Sequence, residues 1–377
     1  MKAISLSVGM VTSLLVLCRV ASADVPISDS HIVFSPYNWA RSGSTYAQSA
    51  NPGAYFKVGF TGTGIVVHID TSPLDDAKIP GFQYPVVRYS VDGGPAVTLQ
   101  LAPKQETIAC AKGLTSGNHS VLLQYVSGYV FLDFWTPINV FRVTGFTLDP
   151  GANLIAPTGA DAPQNTKALF LGDSITNGDD DIATFKGGIT NAVDTQDATL
   201  GYPVIVAAGL GSEYGVVAYG GASWDGNAAD GHTPGLMKSW SMIDSLHSRL
   251  VDGKLSPIPD DIFMNMGENM GPNGDNVPEL LTEIRKASSS KTNIFVIVPF
   301  SGRARGPLRA GFATYKIGAA KDKNTFFIDL GNNPYLLSKG PTMFSVDGQH
   351  PLAALHAQLG AALVQAISKL RHPARPN

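Results

Sequence analysis

From Asp24 to Gly151 apolar and polar residues alternate with a period of two, as in Tyr55-Phe56-Lys57-Val58-Gly59-Phe60, Ile65-Val66-Val67-His68-Ile69 and Val86-Val87-Arg88-Tyr89-Ser90-Val91. Successive side chains of a strand point to opposite faces, so this alternation predicts strands with one buried face. Thr61-Gly62-Thr63-Gly64 and Asp92-Gly93-Gly94 separate such runs and supply hairpin turns. Residues 97–101, 120–126 and 140–146 continue the series. Many short strands at this spacing predict an all-β sandwich of the jelly-roll type over residues 24–151.

A polar, Pro-containing stretch, 152–167, reads as a linker, and beyond it, over 168–377, the pattern changes to apolar strands alternating with helical runs. Strands are predicted at 168–171, 216–219, 262–266, 293–298 and 325–329, and helices at 202–210, 277–287, 307–320 and 351–370. Leu352, Leu355, Leu359, Leu363 and Ile367 recur at three and four, which lays one face of the last helix on a sheet. Alternating strand and helix predicts a parallel sheet with helices on both faces, and ligands at the carboxyl ends of its strands.

The 377-residue length and 44% hydrophobic content agree with two packed domains. With 27 basic and 30 acidic residues and no basic stripe, a nucleic-acid partner is not expected. The start, Met1-Lys2, an apolar run to Cys18 and Ala21-Ser22-Ala23, predicts a secretory signal peptide over 1–23, with an uncleaved anchor as the alternative. No later segment is apolar enough for a membrane span, so the mature chain is expected to be soluble, extracellular and monomeric. Cleavage would remove Lys2 and Arg19, leaving 25 basic groups against 30 acidic, and would remove Cys18. Cys110 would then be the sole cysteine, so no internal disulfide is expected and Cys110 reads as a buried small hydrophobe. Asn118-His119-Ser120 is a glycosylation acceptor pattern.

Candidate chemistry begins in the loop after the first strand of the second half, Gly172-Asp173-Ser174-Ile175-Thr176-Asn177-Gly178. A Ser at the end of a buried strand with flanking glycines can be an exposed nucleophile, or equally a helix cap. A serine nucleophile needs a base. Of the eight histidines, His350 lies in an orienting context, Asp347-Gly348-Gln349-His350, just before the last helix. That spacing lets Asp347 fix one ring nitrogen and leaves the other for Ser174.

Gly-Asp-Ser early and Asp-x-x-His late resemble the SGNH, or GDSL-type, hydrolases. Two further motifs of that family have counterparts in order: Tyr219-Gly220-Gly221 after the second strand and Gly267-Glu268-Asn269 after the third. The resemblance implies a flavodoxin-like α/β/α domain in which Ser174, His350 and Asp347 are catalytic. It also implies an oxyanion hole made by Ser174, Gly221 and Asn269. Met270 stands where the family often has Asp. An N-terminal sandwich ahead of such a domain is similar to carbohydrate esterase family two, whose members remove acetyl groups from plant cell-wall polysaccharides. The expected substrate is therefore an acylated polysaccharide or small ester, with no metal and no cofactor. Trp224, three residues past Gly221, is expected at the sugar or acyl pocket. Rival readings are a lipase or thioesterase for longer acyl chains, and a non-catalytic carbohydrate-binding protein of the cell wall.

Other templates fail. There is no G-x-S-x-G elbow and no H-E-x-x-H. The glycine spacing of Gly226 to Thr233 has His232 where a phosphate-binding loop needs Lys. Asp179-Asp180-Asp181 reads as a solvated loop, because three consecutive carboxylates diverge too much to hold a cation.

Overall fold

The computed structural model describes residues 23–183, 192–331 and 343–371; the predicted signal segment lies outside them except for Ala23. In the N-terminal unit the period-two runs become strands of two antiparallel sheets. One sheet runs Ala40–Ser42, Tyr46–Ser49, Phe141–Leu148, Ile65–Ile69 and Thr107–Ala111, with Ala23–Pro26 also paired to Phe141–Leu148. The other runs Leu154–Ile155, Tyr55–Gly62, Gly117–Ser127, Val86–Val91 and Val97–Gln100, with Val33–Phe34 also on Tyr55–Gly62. Ile65, Val67 and Ile69 are buried and the residues between them are half-buried, as the alternation requires. The sheets meet through side chains such as Phe56 and Phe146, whose rings pack edge to face at 5.7 Å. Cys110 is free and buried in this core, where burial pushes its thiol up to about 12.

The expected linker is partly structured. Leu154–Ile155 extends the second sheet against Phe60 and Gly59, and Thr166 already begins the next unit's first strand. Apolar residues at 152 and 154 were enough to draw that stretch into the sandwich core.

The second unit is a five-stranded parallel sheet of β1 (Thr166–Gly172), β2 (Ser212–Ala218), β3 (Asp261–Asn265), β4 (Asn293–Ile297) and β5 (Thr325–Ile328), in the order β2-β1-β3-β4-β5. This is the doubly wound order of flavodoxin-like sheets, with its switch point beside β1. Alternate residues of each strand serve opposite faces. Ala168 and Phe170 of β1 pack with the helices Tyr202–Leu210 and Ala353–Arg371, while Leu169 and Leu171 pack with the side of Asn276–Ala287 and Arg305–Gly318. Phe170, Phe263, Phe295 and Phe326 stack across four strands at 4.6, 5.0 and 5.2 Å. Leu355, Leu359, Leu363 and Ile367 are fully buried, as their spacing predicts.

The sandwich covers β2, the edge strand on one side of the sheet, which would otherwise present unpaired backbone groups. A side chain at Gly215 would lie 2.0 Å from the Pro36 carbonyl, so the two units touch backbone to backbone there. The Tyr55 hydroxyl donates to Glu213, Lys57 Nζ lies 2.7 Å from Glu213 Oε1, and Arg249 Nε donates to the Tyr37 carbonyl at 2.6 Å. No described helix is long and apolar enough to cross a membrane.

Candidate active site

β1 ends at Gly172, and the chain turns at once into the one-turn helix α1 (Ser174–Asn177). Asp173 caps it: Oδ1 accepts from Ile175 N at 3.3 Å, and Oδ2 accepts from Glu268 N in the loop after β3 at 3.3 Å. Burial, with the nearby Glu268 charge, pushes the Asp173 carboxyl up to about 6. Ser174, the first helical residue, is 3% exposed.

His350 and Asp347 stand together before the last helix, α2 (Ala353–Arg371). His350 Nδ1 lies 2.5 Å from Asp347 Oδ2, and Asp347 Oδ1 accepts from Ser345 Oγ, Gln349 N and His350 N at 2.5, 2.8 and 3.0 Å. Partial burial opposes the Asp347 charge, but these donors, His350 first, hold its carboxyl well below the usual range. Burial would likewise lower His350, yet the Asp347 hydrogen bond and the charges of Asp179, Asp347 and Asp180 raise it to about 8. With Nδ1 committed to Asp347, Nε2 is the acceptor; it is buried and has no hydrogen-bond partner.

The two loops are joined. Asp179 N donates to the Ser174 carbonyl at 3.0 Å, and Ala353 N, three residues past His350, donates to the Asp181 carbonyl at 2.8 Å. Asp179, Asp180 and Asp181 are 1%, 0% and 1% exposed, which corrects the expected solvated loop: the run is the buried floor between the Ser174 and His350 loops. Burial pushes Asp179 up to about 7 and Asp181 well above the ordinary carboxyl range. Local polarity suggested solvent; the sign that could have warned otherwise is position, directly behind a candidate nucleophile.

The loop after β2 approaches from the other side. Gly221 has φ +74°, a conformation costly for other residues, and a side chain on Gly220 would lie 2.2 Å from Val130 Cγ2 and 2.4 Å from Asp179 Oδ2. Val130 belongs to the N-terminal unit, which therefore reaches the site. Gly220 accepts from Ala229 N at 2.7 Å, and among the described residues Gly221 N–H takes part in no backbone hydrogen bond. Asn269 is exposed, and its Nδ2 donates to the Ala222 carbonyl at 2.9 Å, beside Gly221. One N–H of the amide thus remains to point elsewhere.

Trp224 differs from expectation. It is 1% exposed and packs in the core, with Nε1 donating to the Met266 carbonyl at 3.2 Å. Its ring offers no face to a ligand; it braces the turn that carries Gly267 and Asn269. Asp180, Asp347 and His350 form the one His/Asp/Glu group among the described residues close enough to ligate a metal. Two of its three members already share a hydrogen bond.

Residues 41–157 match the family model described as carbohydrate esterase 2 N-terminal. The chain therefore carries a carbohydrate esterase 2 N-terminal domain. Among solved structures, a family two carbohydrate esterase from Cellvibrio japonicus superposes with a TM-score of 0.73 at 16% identity, covering 93% of this chain and 98% of that one. A family two carbohydrate esterase from Clostridium thermocellum, in complex with cellohexaose, gives 0.70 at 19%, covering 90% and 98%. An acetyl xylan esterase from the rumen bacterium Butyrivibrio proteoclasticus gives 0.69 at 16%, covering 93% and 98%. The two-unit fold is thus that of the family two carbohydrate esterases, sandwich included. No curated protein sequence matches the chain.

Proposed function

We propose that this protein is an exported serine esterase that removes O-acyl groups, acetyl foremost, from a polysaccharide such as xylan or mannan. The observation that carries the reading is His350: Nδ1 bound to Asp347 at 2.5 Å and Nε2 buried without a partner, in a loop tied to that of Ser174. A neutral imidazole so oriented is a proton acceptor in search of a donor. Ser174 Oγ attacks the ester carbonyl as His350 Nε2 takes its proton. The oxyanion is met by the N–H groups of Ser174 and Gly221 and the Asn269 amide, and His350 returns the proton to the departing sugar hydroxyl. Water, deprotonated by His350, then attacks the acyl carbon, and His350 passes that proton to Ser174 Oγ as the ester bond breaks and acetate leaves. The cycle uses no metal or organic cofactor.

The likeness to an acetyl xylan esterase and to an esterase that binds cellohexaose supports a polysaccharide substrate. The test is acetate release from acetylated xylan, mannan and pectin beside aryl esters of rising acyl length. Ser174→Ala should abolish turnover; near wild-type activity in that variant would end the reading. Turnover of long-chain esters alone would replace it with the lipase reading.

A further inference from the structure

The same ring nitrogen of His350 faces two carboxylates. Asp347 Oδ2 is 2.5 Å from Nδ1 and Asp180 Oδ2 is 3.9 Å from it. Their surroundings differ: the Asp347 side chain is 27% exposed, that of Asp180 0%. Water and salt weaken the first interaction far more than the second. Asp180 is also held in place. Thr195 Oγ1 donates to its Oδ1 at 2.7 Å, which leaves Oδ2 as the oxygen nearer the ring, and its backbone sits at φ 55°, which Asp tolerates better than most residues.

We propose that Asp180 is a second carboxylate partner of His350, a positioning residue that shares with Asp347 the work of orienting the ring and stabilising its protonated form. The inference rests on the esterase reading above. Protonation of Nε2 leaves a cation next to Nδ1–H; Asp347 accepts that hydrogen, and Asp180 faces the same atom from the nucleophile loop. The other titratable neighbours of His350 are Asp179 on that loop and His356 on α2. When Asp347 is lost, a small turn of the ring brings Nδ1–H onto Asp180 Oδ2.

Where one carboxylate serves the histidine, Asp→Asn costs about 10⁴ in kcat. Here Asp347→Asn is expected to cost about 10² or less, Asp180→Asn less again, and the double variant far more than the product of the two, reaching the level of His350→Ala. The losses should fall on kcat with KM nearly unchanged. In each single variant the acid limb of the kcat/KM profile should move to lower pH, and Asp180→Glu should restore part of the loss. The low-field Nδ1 proton resonance of His350 should persist in Asp347→Asn and vanish in the double variant. The proposal is overturned if Asp347→Asn is as inactive as His350→Ala, or if the double variant equals the product of the singles. It is equally overturned if Asp180→Asn lowers thermal stability and kcat without moving the acid limb. Ser174→Ala separates the two readings: if it retains turnover the esterase itself fails, whereas a dead Ser174→Ala with additive aspartate variants sinks only the role of Asp180.

Discussion

His350 holds its proton to about pH 8, above a free imidazole, because the Asp347 hydrogen bond and the charges of Asp179, Asp347 and Asp180 outweigh its burial. A general base must be neutral to act, so kcat/KM for an acetate ester should rise with pH through about 8 and level off above, in a stopped pH-rate series. The same shift governs stability. Since the folded value lies above the unfolded one, the contribution of His350 is full below the ordinary value of 6.5 and is lost as pH rises through about 8. The difference in thermal midpoint between wild type and His350→Gln should therefore shrink across that window. Asn269 belongs to this scale too: on the proposed mechanism, removing its amide should lower kcat by about 10²-fold or more with little change in KM, as loss of an oxyanion donor does. At this scale the sequence was most legible for the placement of Ser174 at the end of β1 and of Asp347 beside His350, because short motifs carry them. Asp180 was illegible, since whether a carboxylate is solvated depends on what packs over it.

At the level of elements, close approach is what joins one loop to the next. Gly220→Ala forces a methyl group to within 2.2 Å of Val130 and 2.4 Å of Asp179, and relief requires moving the Ser174 loop. It should cost about 1–3 kcal/mol in a denaturant melt, as overpacking does, and lower kcat besides. Trp224→Phe loses the Nε1 bond to Met266 and frees the turn before Asn269; kcat should fall more than KM rises. The helix Tyr202–Leu210 begins where Pro203 marks a first turn, and the stripe of α2 lies where periodicity places it, because a repeated apolar spacing has few other solutions. Trp224 was misread for the opposite reason: one aromatic residue near a motif has no periodicity, and a large ring goes to whichever side the packing leaves dry.

On the scale of the whole molecule, the sandwich is packed into the candidate site rather than appended to it. It covers β2 and places Val130 under Gly220. Residues 158–377 expressed without it would expose that edge and are expected to aggregate, measured as the soluble fraction against the full chain. Glu213→Gln should destabilise the whole by about 3–5 kcal/mol in a melt, since it leaves Lys57 partly buried without its counter-charge. The chain's own pattern determined the two architectures, their order and the strand-end loops that carry the four motifs, because hydrophobic period and strand-end motifs are local properties. Tertiary structure alone decided that the acidic run lies under His350, that Trp224 is a brace, that part of the linker is a strand and that the sandwich reaches the loop of Gly220 and Gly221. Each of those depends on which distant surface excludes water from a residue, and no local spacing encodes that.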